Sequence, residues 1–214
     1  MILSDKITPR PILSSKLLNK GHIFDLVREE VDLGDAGVVS RDFIDHPGAV
    51  AVVVLNDQDE VLLLKQYRHP VRADLWEIPA GLLDIAGEPA HIGAARELHE
   101  EADLEAASWF VLADYLTTPG GNNEAIRIYL ARDLTEVPDH EQHEREHEEL
   151  NMEKRWVPLD QAVAAVLAGD LHNPSAVVGI LAAHAARAAD WSTLRSVDVE
   201  FPFRRSNPLH LGTP

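Results

Sequence analysis

The chain has no cysteine among its 214 residues, which excludes disulfides, thiolate zinc sites and a thiol nucleophile together. Positive charge is scarce: 19 Lys and Arg face 36 Asp and Glu, leaving a formal net charge of -17. Nucleic acid is therefore not an expected partner, because a phosphate backbone demands a basic face. A small phosphorylated substrate stays open, since a bound metal inverts the field locally. No apolar run approaches the length that spans a bilayer, so no membrane partner is expected. The opening stretch, MILSDKITPRPILSSKLLNK, lacks the uninterrupted apolar core of a signal peptide. The cytoplasm is the expected compartment. A composition 45% hydrophobic can bury a full core and suits one domain, or one domain with an extension.

Against that background the segment Gly81–Leu104, GLLDIAGEPAHIGAARELHEEADL, stands out. Within it, Arg96-Glu97-Leu98-His99-Glu100-Glu101 crowds three carboxylates and one arginine together. A helix turns about 100° per residue, so Glu97 and Glu101 project from nearly one face, with Glu100 beside them. Carboxylates held together repel one another unless a cation neutralises them. Oxygen ligands of this kind select a hard divalent ion such as magnesium or manganese. A solvated helix face more often pairs each Glu with a Lys four residues away, and here only Arg96, four before Glu100, offers such a partner. Charge pattern alone leaves both readings standing, an ion site and a solvated face.

Along the chain, hydrophobic patterning predicts a mixed α/β protein. Residues 23–31 and 37–44 read as a β-hairpin around Asp32-Leu33-Gly34-Asp35-Ala36-Gly37. The unbroken apolar run 49–55 marks a strand buried on both faces. Further strands are predicted at 61–67, 76–78, 109–115 and 125–130, and another follows Met152. One helix is predicted from about Glu88 to Ala102 and a second over 159–167. A third begins at Asn173-Pro174, a favourable cap with proline in the first turn, and runs to about Ala189. No internal repeat is visible, and residues 191–214 form a tail carrying Pro and Arg without periodicity.

The acidic segment resembles the Nudix box: Gly, five residues, Glu, seven residues, then Arg-Glu-aliphatic-x-Glu-Glu-x-Gly-aliphatic. Gly81, Glu88, Arg96, Glu97, Leu98, Glu100, Glu101 and Leu104 fall on that pattern. Two positions depart from it. The gap from Gly81 to Glu88 is one residue longer, a cheap insertion in a loop. Asp103 replaces the usual Gly, and Asp tolerates the left-handed conformation that often ends a helix. Gln66-Tyr67-Arg68, Trp76-Glu77-Ile78-Pro79-Ala80-Gly81 and Pro119, fifteen residues beyond Leu104, are similar to the ADP-ribose pyrophosphatase branch. Read alone, Pro119-Gly120 is simply a turn.

The resemblance implies a Nudix fold, a mixed β-sheet sandwiched between helices, over 47–190. It also implies an N-terminal β extension, 1–46, that helps form an intertwined homodimer, with 191–214 as a C-terminal tail. The implied reaction is magnesium-dependent hydrolysis of the diphosphate bond of ADP-ribose to AMP and ribose 5-phosphate, with manganese as a substitute. Glu97 and Glu101 match the principal metal ligands, and the Ala80 carbonyl completes the coordination. Glu100 is the further candidate, for a second ion or a ligating water. Glu88 and Arg96 read as a structural pair tying the loop to the helix. Arg68 offers paired donors to the diphosphate; the bland alternative is a surface arginine beside His69. Leu82 lies against the terminal ribose, and Arg41 contacts the base or ribose from the other subunit.

The tract His140–Glu149, HEQHEREHEE, has three readings. It is a solvated loop by composition, or a soft-metal site through His140, His143 and His147. The resemblance implies instead an acidic loop carrying the catalytic base, with Glu149 as the match and Glu148 as its neighbour in contention. Closure of such a loop over substrate would complete the site and exclude water. Two other functions stand beside the main reading. One is a Nudix hydrolase for a sugar nucleotide or dinucleotide, because the box specifies the bond cleaved and not the group beyond it. The other is a non-catalytic ligand-sensing module, which the intact Glu97, Glu100 and Glu101 disfavour.

Overall fold

The computed structural model describes residues 3–140, 142–143 and 152–204. They group into two units: residues up to Pro47 together with Thr118–Glu124, and the remainder.

The first unit is a three-stranded antiparallel sheet of β1 (Ile12–Lys20), β2 (Asp25–Asp32) and β3 (Val38–Asp45), in that order. The predicted hairpin is β2 and β3, registered from Asp25↔Asp45 to Asp32↔Val38. Its turn uses Gly34 and Gly37 at φ +70° and +83°, where a side chain would be strained. β1 has no counterpart among the predicted strands. Nearly all its residues are exposed, so it lacks the in-out alternation by which a strand is read. The Pro119-Gly120 turn joins this unit through bonds from Ile44 N to Gly121 O (3.0 Å) and Asn123 N to Ile44 O (3.2 Å).

The second unit carries two sheets and three helices. Its central strand, β4 (Ala49–Val54), is buried throughout, as the apolar run predicted. β5 (Glu60–Arg68) and β6 (Ala73–Glu77) form a hairpin, and β7 (Ala80–Leu82) pairs with β4. Helix α1 (Ala90–Ala102) follows, then the long antiparallel pair β8 (Leu104–Leu116) and β9 (Ala125–Glu136). β10 (Glu153–Pro158), α2 (Leu159–Ala168) and α3 (Pro174–Ala188) complete the elements. The four-stranded sheet runs β7-β4-β9-β8, with β4 and β9 parallel, and the three-stranded one runs β10-β5-β6.

Alternation along β4 decides what lies on each side. Val50, Val52 and Val54 pack with Leu62, Leu64, Ala94 and Leu98 on the α1 side. Ala51 and Val53 pack with Ile128, Ile180 and Ala183 on the α3 side. The predicted mixed sheet between helices is thus the fold that forms. Helix α3 starts as its sequence indicates: the Asn173 side chain accepts from Ala176 N at 2.9 Å, with Pro174 in the first turn.

The described part of the tail folds back on its own unit. Arg195 and Val111 exchange backbone hydrogen bonds of 2.9 and 3.1 Å, and Val197 and Phe201 pack against the α1-side core. Buried Arg127, on β9, donates to Val199 O and Glu200 O at 2.7 Å each. Among the described residues no helix is long and apolar enough to cross a membrane.

Candidate active site

Helix α1 and strand β7 bring the acidic cluster and a stretch of backbone together. Glu101 is only 8% exposed, and its Oε2 accepts a hydrogen bond from Ala80 N at 2.9 Å. One residue along β7, a Cβ built on Gly81 would overlap the carboxylate of Glu97. Both carboxylates therefore press on the same short strand, one turn of helix apart. Glycine at 81 is what allows the second approach.

Arg96 gathers the remaining acids. Its Nη1 donates to Glu97 Oε1 at 2.6 Å and to Glu100 Oε2 at 3.2 Å, while its Nε donates to Glu88 Oε1 at 3.3 Å. Burial alone would lower the pKa of Arg96, but hydrogen bonding to Glu88 and the charge of Glu97 outweigh it and raise the pKa. The Glu88–Arg96 pair predicted from sequence thus forms, tying the loop before α1 to the helix. That loop is tied again by Arg204, whose Nη2 donates to Glu88 O at 2.9 Å. At the far end of α1, Asp103 takes the left-handed conformation (φ 57°, ψ 39°). Its carboxylate pairs with Lys154 at 2.6 Å, so the departure from glycine is accommodated.

Among the described residues no group of three acidic or histidine side chains stands ready to hold a metal ion. The nitrogen shared by Glu97 and Glu100 belongs to Arg96. The donor chemistry nonetheless fits a hard divalent cation: Glu88, Glu97 and Glu100 share one guanidinium and Glu101 lies on the Ala80 backbone, leaving an excess of negative oxygen. Glu97 and Glu101, flanking the Ala80–Gly81 backbone, are the pair able to hold an ion together with a carbonyl there.

Arg68 ends β5. Residues 62, 64, 66 and 68 share one face of that strand by alternation, and Leu62 and Leu64 pack toward α1. Arg68 therefore lies on the face of β5 whose Leu62 and Leu64 share a core with Ala94 and Leu98 of the box helix. It is not a lone surface arginine: Nε and Nη2 donate to the two carboxylate oxygens of Glu77 at 2.8 and 2.7 Å. Glu77, which residue typing did not single out, is only 3% exposed. Its signal was a carboxylate two residues on from Leu75, hence on the same face of β6, and directly before the apolar Ile78.

The other candidate residues are spread more widely. Leu82 is half-buried on β7, opposite Ala49 of β4. Arg41 lies on β3 of the first unit, exposed, with Nη1 donating to Ser40 O at 3.0 Å. Glu149, Glu148 and His147 fall outside the described residues.

The model of the NUDIX domain matches residues 45–177. An ADP-ribose pyrophosphatase of Mycobacterium tuberculosis is 44% identical to this chain over 88% of its length and 89% of the relative's. One of Bacillus subtilis is 30% identical over 78% of this chain and 89% of the relative. A crystal structure of an ADP compounds hydrolase superposes with a TM-score of 0.70 at 19% identity, covering 87% of this chain and 98% of that one. At that identity the likeness concerns the fold.

Proposed function

This chain belongs to the Nudix family and is a Nudix hydrolase, and we propose that it cleaves the diphosphate bond of ADP-ribose in a magnesium-dependent reaction, giving AMP and ribose 5-phosphate. The observation that carries the reading is the approach of the Glu97 and Glu101 carboxylates to consecutive residues of β7. Two relatives named ADP-ribose pyrophosphatase, at 44% and 30% identity, support the choice of substrate.

Glu97, Glu101 and the Ala80 carbonyl would hold the magnesium ion, for which manganese can substitute, and Glu100 is the ligand for a second. When bound, the metal polarises a phosphoryl oxygen and offsets the charge that builds up on it. Arg68 adds two parallel donors to the diphosphate where negative charge develops. Leu82 packs against the terminal ribose. Glu149 takes the proton of the attacking water as the new phosphorus–oxygen bond forms and the bridging bond breaks.

Arg41 reaches the base or ribose from the second subunit of a homodimer. In the first unit, Ile12, Leu13, Leu17, Ile23, Phe24 and Leu26 are exposed, large apolar side chains of the kind a partner surface covers. That supports residues 1–46 as the dimerisation element, beside a hydrolase domain over 47–190 and a tail over 191–214. The lack of cysteine accords with a cytoplasmic protein.

A hydrolysis panel with magnesium, offering ADP-ribose, sugar nucleotides, dinucleotides and diadenosine polyphosphates, tests the substrate. Preference for ADP-ribose with AMP as product is expected. Preference for another member would keep the bond cleaved and overturn the substrate. Glu149→Gln is expected to slow hydrolysis with metal binding intact, and an equal effect of Glu148→Gln would move the base to its neighbour.

A further inference from the structure

We propose that Glu77 is a positioning residue for the hydrolysis: its buried carboxylate aims the Arg68 guanidinium at the substrate. The proposal rests on the reading of Arg68 as a diphosphate contact.

Glu77 occupies a place that an apolar side chain would suit. It closes β6 directly opposite Leu64, which is 2% exposed, and precedes Ile78, also 2% exposed. A buried ion pair in such surroundings brings little net stability over a hydrophobic residue of similar size, because two charges must leave water. Stability therefore gives no strong reason for a carboxylate here, and its effect on Arg68 does.

Arg68 is the last residue of β5, next to the turn in which Val71 N donates to its carbonyl at 3.2 Å. Its side chain is 41% exposed, whereas that of Glu77 is 4% exposed. A long side chain at the mouth of a turn samples many rotamers, and holding it in one costs conformational entropy each time substrate binds. The side-on fork with Glu77, at 2.8 and 2.7 Å, removes that freedom beforehand. A guanidinium is planar, so two parallel bonds on one edge set the direction of the opposite edge. That edge turns away from Glu77, on the face of β5 whose Leu62 and Leu64 pack with Ala94 and Leu98 of α1. Lysine in place of Arg68 would keep the charge and lose this directionality.

The test is steady-state hydrolysis of ADP-ribose by E77Q, E77M, R68K and the E77Q/R68K double variant, with thermal melts of each. E77Q is expected to lower kcat about ten- to hundredfold, the scale of a small misplacement of a catalytic group. E77M is expected to be equally slow yet no less stable than wild type, since it packs where Glu77 sat. In the R68K background, E77Q is expected to change kcat less than about twofold, because the directed group is already gone. Wild-type kcat in E77M, or effects of E77Q and R68K that multiply, would overturn the positioning role. Wild-type kinetics in R68K would remove the reading of Arg68 itself, an outcome distinct from a slow R68K beside an unimpaired E77Q.

Discussion

Gly81 has no room for a side chain because the Glu97 carboxylate lies where its Cβ would be. The glycine that opens the box and the first glutamate of its helix are thus one steric unit. Gly81→Ala must displace Glu97 or bend β7. The obstructing atoms are the end of a flexible side chain, so the fold yields at little cost, but the displaced carboxylate no longer faces the Ala80–Gly81 backbone. The expected outcome is a folded protein with a Tm close to wild type and a kcat reduced about a hundredfold, read from a melt and a turnover assay on one preparation.

Glu101→Gln separates metal binding from structure. The amide oxygen of glutamine can still accept from Ala80 N, the bond made at 2.9 Å, so the fold should survive within about 1 kcal/mol. The lost negative charge removes a ligand for a divalent ion. Magnesium-dependent turnover should fall at least about a thousandfold, and calorimetric titration should show weakened magnesium binding. Unchanged turnover would remove Glu101 from the site.

Arg127 anchors the returning tail. It is 2% exposed, forks onto Asp114 at 2.7 and 3.0 Å, holds the carbonyls of Val199 and Glu200, and lies 4.4 Å over the Phe201 ring. Hydrogen bonding to Asp114 raises its pKa despite the opposing effect of burial. Arg127→Ala is expected to destabilise the protein by about 3–5 kcal/mol, the usual cost of breaking a buried ion pair. Limited proteolysis should then cut within 196–204 faster than in wild type; equal rates would show that the tail holds without this anchor.

His46 gives the first unit a pH response. Burial lowers its pKa, against the opposing charges of Glu124, 3.5 Å away, and Asp45. Between the folded pKa and the ordinary value of 6.5, the unfolded chain binds a proton that the folded chain does not. Stability from this group is therefore complete above about pH 6.5 and is lost as pH falls through the folded value. Denaturant melts at pH 7.5 and 5.5 should show a smaller acid loss in His46→Asn than in wild type. An identical loss in both would assign the acid sensitivity to the carboxylates alone.

The exposed strand β1 shows where sequence patterning stops. Strand β4 was legible because both its faces are buried and every residue had to be apolar. Helix α1 was legible because two glutamates four residues apart must share a face, and α3 because Asn173-Pro174 caps locally. These features depend on neighbours within a turn or two of chain. β1 is held by backbone pairing to β2, which leaves no mark on side-chain type when one strand faces solvent.

The site divides the same way. The family and the helix that carries Glu97, Glu100 and Glu101 were legible from residue types at short spacings, and the pairing of Glu88 with Arg96 from the resemblance they carry. Tertiary structure alone decided that Gly81 yields its side-chain space to Glu97, that Glu77 holds Arg68, and that Arg204 reaches back to Glu88 O, 116 residues away. Such contacts join residues whose approach is set by how strands register and how a helix lands on a sheet. Residue type states what a side chain can do, and packing selects the partner it does it with.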